Sequence, residues 1–245
     1  MSDAIAAETI RIAGAGGDEI EAYRALADGG SRGGVIVIHH MPGYDRWTKE
    51  VARRFAADGY NAIVPNLYWR EAPGADPDDA AAAARAQGGV PDERLVGDAA
   101  GAAEHLRSLA NSNGRLAVIG HCSGGRHAVL AACNVDLQAA VDCYGAFVVG
   151  QPPEGFPVQV TGLEDQLPNL RCPLLGLFGN DDSYPSPEQV DELDRLLTEH
   201  GKRHEFHRYD GAGHAFFATD RPSYRVEAAV DGYAKIADFF ATTIR

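Results

Sequence analysis

The segment Gly120-His121-Cys122-Ser123-Gly124-Gly125 sets a thiol at the centre of a glycine-flanked turn. An apolar run, Leu116 to Ile119, leads into it, and the helix-forming stretch Arg126 to Ala132 follows. Strand, sharp turn and helix in that order form the pattern of a nucleophile elbow. The flanking glycines suit it, because side chains at Gly120 or Gly124 would collide with neighbouring chain where the backbone is strained. At the amino end of a helix, the dipole and free N–H groups favour a thiolate and stabilise an oxyanion. Two other readings of the same residues stand beside this one. Cys122 can be a buried apolar cysteine in a Gly-rich turn, or Ser123, off-centre in the pattern, can be the attacking group.

A thiol nucleophile needs a base, and the base needs an orienting acid; in this pattern they follow the nucleophile as acid, then histidine. Asp182 lies just past the apolar run Leu174 to Phe178, where parallel sheets place their sites, with Asp181 as the competing neighbour that spacing does not separate from it. His214 follows Gly211-Ala212-Gly213 in a loop after the extended segment Glu205 to Tyr209. His204 and His207 point to opposite faces of that segment, and no HExxH helix occurs, so no metal site is expected. Gly14-Ala15-Gly16-Gly17 lacks the third glycine of a dinucleotide fingerprint and joins two extended segments, which makes it a turn.

The elements that must position these residues can be read in outline. Val35 to Ile38, Ala62 to Val64, Leu116 to Ile119, Ala139 to Val141 and Leu174 to Phe178 are short apolar runs, as in strands of a parallel sheet covered on both faces. Between them, Trp47, Val51 and Phe55 repeat at helical spacing and Gly59 stops the pattern. Ser186, Pro187 and Gln189 make a capping box ahead of the stripe Val190, Leu193 and Leu197, which Gly201 ends. The spacing also predicts helix over Ala80 to Ala86 and over Val226 to Ala241. Thr9 to Ile12 and Glu19 to Leu26 read as a hairpin, the antiparallel edge of the sheet. Gly150 to Leu170, rich in Pro and Gly, reads as a surface excursion that could border a pocket. The fold class expected is α/β, as a single domain over residues 1–245.

A formal charge of −13 excludes nucleic acid as an expected partner, since phosphate affinity comes from clustered Lys and Arg. With no run of the roughly 18 apolar residues a span requires and no basic start, neither membrane nor export is expected, and the cytoplasm is the expected compartment. The four cysteines (Cys122, Cys133, Cys143, Cys172) lack CxxC spacing and suit reduced thiols.

With those residues in view, the chain resembles the dienelactone hydrolase family, or carboxymethylenebutenolidases, over nearly its whole length. The Gly-x-Cys-x-Gly-Gly-Arg elbow carries the resemblance, joined by Asn66-Leu67-Tyr68, Gly179 to Pro185 and Gly211 to Phe216. The resemblance implies an α/β-hydrolase fold, a Cys122, His214 and Asp182 triad, and an oxyanion hole from the N–H groups of Ser123 and Met41. It departs at two places: His40 stands where the best-known members have a glutamate, and Ala218 stands where an arginine is expected after the histidine. That arginine would hold a substrate carboxylate, so its loss implies a neutral acyl group, unless Arg85 or Arg70 substitutes. His40 and His121 are further candidates for auxiliary or substrate-contacting roles beside the thiol. The expected partner is a small ester or lactone, with no cofactor, in a monomer or homodimer. Acyl transfer to another acceptor, attack on phosphorus, and a non-catalytic ligand-binding role are the competing functions.

Overall fold

The computed structural model describes residues 5–245. Its strands are β1 (Ala6–Ala13), β2 (Glu19–Leu26), β3 (Gly34–Ile38), β4 (Asn61–Pro65), β5 (Leu116–His121), β6 (Ala139–Cys143), β7 (Leu174–Gly179) and β8 (His204–Tyr209). All eight join one sheet in the order β1-β2-β4-β3-β5-β6-β7-β8. Pairing is parallel from β4 through β8 and antiparallel where β1 meets β2 and β2 meets β4. The α/β class and its antiparallel N-terminal edge are therefore as the sequence led us to expect. β3 to β7 are buried at every position, which is why they read as unbroken apolar runs rather than as alternation.

Helices cover both faces. α1 (Arg46–Ala57) and α6 (Val226–Thr243) pack on one face, where Trp47, Val51, Phe55, Ile236 and Phe240 join one core cluster. α2 (Pro77–Ala86), α3 (Asp92–Ser108), α4 (Ser123–Asn134) and α5 (Pro187–Glu199) pack on the other, contributing Ala80, Leu95, Val129 and Leu193 to the second cluster. Local signals set the helix ends. Asp45 caps α1 by accepting the Thr48 N–H at 2.8 Å, Gly59 turns the chain out of it at φ +91, and Ser186 and Gln189 form the capping box of α5. Among the described residues no helix is long and apolar enough to cross a membrane.

The glycine-rich turn after β1 is filled from within the protein. Ala15 N–H donates to Asp98 Oδ1 of α3 at 2.8 Å, and a Cβ on Gly14 would come within 2.4 Å of that oxygen. α3 itself carries no strong sequence signal. Its buried face mixes Leu95 and Leu106 with Ala99, Ala102, Ala103 and Asp98, and Gly97 and Gly101 interrupt it. Those glycines have a packing reason: a Cβ on Gly101 would overlap the Ala13 carbonyl oxygen at 1.8 Å, so α3 lies directly on the end of β1.

Candidate active site

Between β5 and α4 the chain turns at Cys122, whose φ of 58 lies in the left-handed region that a side chain rarely occupies. The turn is tight enough to forbid a side chain on either flank. A Cβ on Gly120 would meet the Gly124 carbonyl oxygen at 1.8 Å, and one on Gly124 would meet the Ile38 carbonyl oxygen at 2.5 Å. The strain is held by pairing on both sides, with Cys122 N–H donating to the Cys143 carbonyl at 3.0 Å and Gly125 N–H to the Cys122 carbonyl at 2.9 Å. The Cys122 side chain is half-buried at the amino end of α4.

Two loops from the next strands meet above it. A Cβ on Gly179, the last residue of β7, would lie 2.2 Å from the Ala212 carbonyl oxygen, and Asp181 N–H donates to that same carbonyl at 3.0 Å. This close approach brings the segment after β7 against the segment after β8. Asp182 is buried there. Its Oδ1 accepts from Tyr184 N–H at 2.9 Å and its Oδ2 from His214 Nδ1 at 2.8 Å. Asp181, the neighbour that spacing left open, also lines the cavity but is exposed and makes no bond to His214. With its Nδ1 proton committed to Asp182, the His214 ring faces Cys122 through Nε2.

The electrostatics follow from these contacts. Burial pushes the Cys122 thiol up, but the hydrogen bond and charge of His214 and the N–H groups of Ser123 and Met41 outweigh it, leaving the thiol below its ordinary 9.0. His214 moves the other way: burial opposes its charge, while Asp182 and Cys122 together raise it above 6.5. Both shifts favour the charged forms and share one cause, the pairing of the Cys122 thiol with the His214 ring.

The remaining candidates separate by position. His40 lines the cavity, yet its Nε2 bonds to Asp45 Oδ2 at 2.6 Å, so that nitrogen is already engaged and unavailable to the thiol. His121, the last residue of β5, is buried and does not line the cavity, contrary to the expectation of an auxiliary role. Successive side chains of a strand face opposite sides, so the residue before the nucleophile projects into the α1/α6 layer. There Trp47 (4.9 Å), Phe217 (5.7 Å) and Tyr144 (6.0 Å) enclose its ring, and neither ring nitrogen has a partner. Burial pushes His121 down to about 3.

Arg85, on α2, does not line the cavity either, and Arg70 is spent on Asp98 and Asp18 at 2.9 Å each. The arginines of the cavity wall are two that sequence reasoning did not single out as such. Arg221 is exposed on the rim. Arg126, in the first turn of α4, is buried and fully occupied: its guanidinium binds both Asp92 carboxylate oxygens at 2.8 Å each and donates to the Thr161 carbonyl at 2.7 Å. That last bond latches the excursion between β6 and β7, whose Phe156, Val158 and Val160 form an apolar wall of the cavity. The volume enclosed is about 510 Å³, inside the ordinary range for small-molecule sites.

A half-buried thiol at a helix amino end, a histidine beside it in the cavity, an acid bonded to that histidine and the nearby N–H groups of Ser123 and Met41 can together carry out acyl transfer. The comparisons with known proteins agree with that chemistry. The model of the Dienelactone hydrolase family matches residues 20–244. A Salmonella typhimurium protein provisionally named a carboxymethylenebutenolidase is 36% identical over 236 residues, covering 92% of this chain and 83% of its own. The carboxymethylenebutenolidase of Pseudomonas putida is 29% identical over 219 residues, 84% of each chain. A crystal structure from Klebsiella pneumoniae, provisionally titled a dienelactone hydrolase, superposes with a TM-score of 0.84 at 29% identity, covering 98% of this chain and all of that one. Fold, elbow and match over almost the full length lead to one statement: the chain belongs to the dienelactone hydrolase family of ester and lactone hydrolases.

Proposed function

We propose that the chain hydrolyses small, uncharged carboxylic esters or lactones with Cys122 as nucleophile, His214 as acid and base, and Asp182 as the group that orients His214. The carrying observation is that Asp182 Oδ2 accepts from His214 Nδ1 at 2.8 Å while the His214 ring and the Cys122 thiol line the same cavity and shift one another toward their charged forms. In the free enzyme the proton of the pair rests on His214 Nε2. The thiolate attacks the substrate carbonyl carbon, and the oxygen that gains the electron pair is met by the N–H groups of Ser123 and Met41. The bond to the leaving alcohol oxygen then breaks, and that oxygen takes the Nε2 proton, leaving an acyl thioester. Neutral Nε2 next removes a proton from water, the hydroxide attacks the thioester, and the thiolate leaves as the acid product forms. An uncharged acyl group is favoured in the inner part of the cavity because the buried cation there, Arg126, already has its partners, while the second lining arginine, Arg221, stands exposed at the rim. The sheet and its two helix layers act as one domain, and the free cysteines suit the reducing cytoplasm.

The test is to trap the thioester. After rapid mixing with p-nitrophenyl acetate and acid quench, intact-mass measurement and peptide mapping should find one acetyl group on Cys122. An acetyl group on Ser123, or turnover with no adduct at any quench time, would overturn the assignment.

A further inference from the structure

His127 lies little more than one helical turn beyond Cys122 on α4, is only 7% exposed, and lines the same cavity. Its Nδ1 is buried without a partner, and among the described residues no hydrogen bond reaches Nε2, the nitrogen left toward the cavity. Burial and the neighbouring Arg126 guanidinium keep the ring neutral, pushing it down to about 3. A neutral imidazole carries one N–H and one lone pair. Orphaned buried N–H groups are rarer than under-satisfied acceptors, so the proton belongs on Nε2 and the buried Nδ1 keeps the lone pair. The cavity thereby holds a buried uncharged hydrogen-bond donor alongside the apolar lining of Val90, Phe147, Phe156, Val158 and Val160, in addition to the hydroxyls of Ser123, Ser183 and Tyr184.

A donor left unpaired in such a wall costs free energy that a ligand acceptor would recover. The acceptor it suits is neutral. A carboxylate would need a cation in the same place, and Arg126 is committed to Asp92 and Thr161. We propose that His127 is a specificity-determining residue whose Nε2–H binds an ether or carbonyl oxygen in the non-reacting part of the ester, while the carbon skeleton packs on the apolar wall. The preferred substrates are therefore esters with a second, uncharged oxygen, such as alkoxy or keto esters. The assignment rests on the reading of this cavity as the place where Cys122 acts.

Two isosteric pairs of p-nitrophenyl esters test it: methoxyacetate against butanoate, and levulinate against isocaproate. The readout is the kcat/KM ratio within each pair, compared between wild type and variants so that intrinsic ester reactivity cancels. His127→Leu should lower the oxygen-over-carbon ratio of at least one pair by about 3- to 10-fold, the span of a single neutral hydrogen bond. His127→Gln, which keeps a donor, should retain most of the preference. Ratios unmoved in both pairs by His127→Leu, or moved equally by Leu and Gln, would overturn the proposal and leave water as the partner of the ring. Binding of the corresponding methyl esters to Cys122→Ala, with and without His127→Leu, separates this result from the nucleophile assignment. Hydrolysis by Cys122→Ala would defeat that assignment, while the binding ratio would still judge His127.

Discussion

His121 and Cys122 are neighbours in the chain, yet Cys122 lines the cavity while His121 is buried in the α1/α6 layer. On the cavity side, Cys122 meets His214 and two N–H groups, and its thiol is held below its ordinary range although burial pushes it up. On the other side, His121 meets only the rings of Trp47, Tyr144 and Phe217, and the same desolvation drives it neutral without opposition. Burial thus sets one default for both residues, and placed partners decide which escapes it. A charge available for chemistry marks where the fold has supplied such partners, and an orphaned ring marks where it has not.

The contrast can be broken most severely at the sulfur. Cys122→Ala should lose at least about a thousandfold in kcat/KM while far-ultraviolet circular dichroism stays native; retention of more than about a tenth, a loss under about 1.4 kcal/mol, would remove Cys122 as nucleophile. Next comes the partner's partner. Asp182→Asn should cut turnover by about a thousandfold or more through the wrong His214 tautomer, whereas Asp181→Asn, at an exposed residue that does not bond His214, should change it far less; the reverse ranking would exchange their roles.

The thiolate itself is read by the pH dependence of iodoacetamide labelling. Because the folded thiol lies below 9.0, labelling should stay fast as pH falls beneath that value and fade only below the folded pKa. His214→Gln removes the stabilising partner but not the burial, so the labelling midpoint should rise; a midpoint unmoved would show that His214 does not hold the charge.

On the far side of the sheet the effect is on stability. The folded His121 ring titrates at about 3, against an ordinary 6.5. Between those values the unfolded chain takes up a proton that the folded ring refuses, so stability is present above pH 6.5 and drains away as pH falls toward 3. His121→Phe should gain about 1 kcal/mol at neutral pH by removing two unpaired nitrogens. It should also flatten the acid loss by up to about 1.4 kcal/mol per pH unit. Urea melts at pH 7 and 5 measure both, and a slope equal to wild type would show that the ring finds a partner. The smallest effect is expected at His40, whose Nε2 is tied to Asp45. His40→Gln should move the labelling rate by less than about threefold, under about 0.7 kcal/mol, and a larger change in the acid limb of kcat/KM would restore it as a participant.

Much of this was legible in the sequence where a local rule left its mark. The elbow is visible because Gly120 and Gly124 are dictated by contacts of backbone with backbone, and α5 is visible because its capping box is a chain-local bond pattern. What was not legible depends on meetings between distant segments. α3 lacks an apolar stripe because it lies close on β1 and the turn after it, where only small residues fit. Arg221 reaches the rim from a loop whose path no periodicity encodes, and the wall of Phe156, Val158 and Val160 belongs to irregular backbone. Spacing alone could not separate Asp181 from Asp182, because burial and the bond to His214 are what distinguish them.

Arg126 donates two hydrogen bonds to Asp92 and a third to the Thr161 carbonyl, and so fastens the pocket wall to the same helix that follows the nucleophile. The reacting groups stand just past strand ends, while the apolar wall that sorts substrates stands on a loop held by this buried clasp and by the Gln159 N–H bond to the Gly88 carbonyl at 2.7 Å. Substitutions at Val158 or Val160 can therefore remould the chamber without disturbing the sulfur or its relay, provided the clasp remains. Apart from His127 on α4, the wall that sorts substrates lies on a segment separate from the reacting groups, so a lineage of such enzymes can exchange one ester for another by small steps while its chemistry stays fixed.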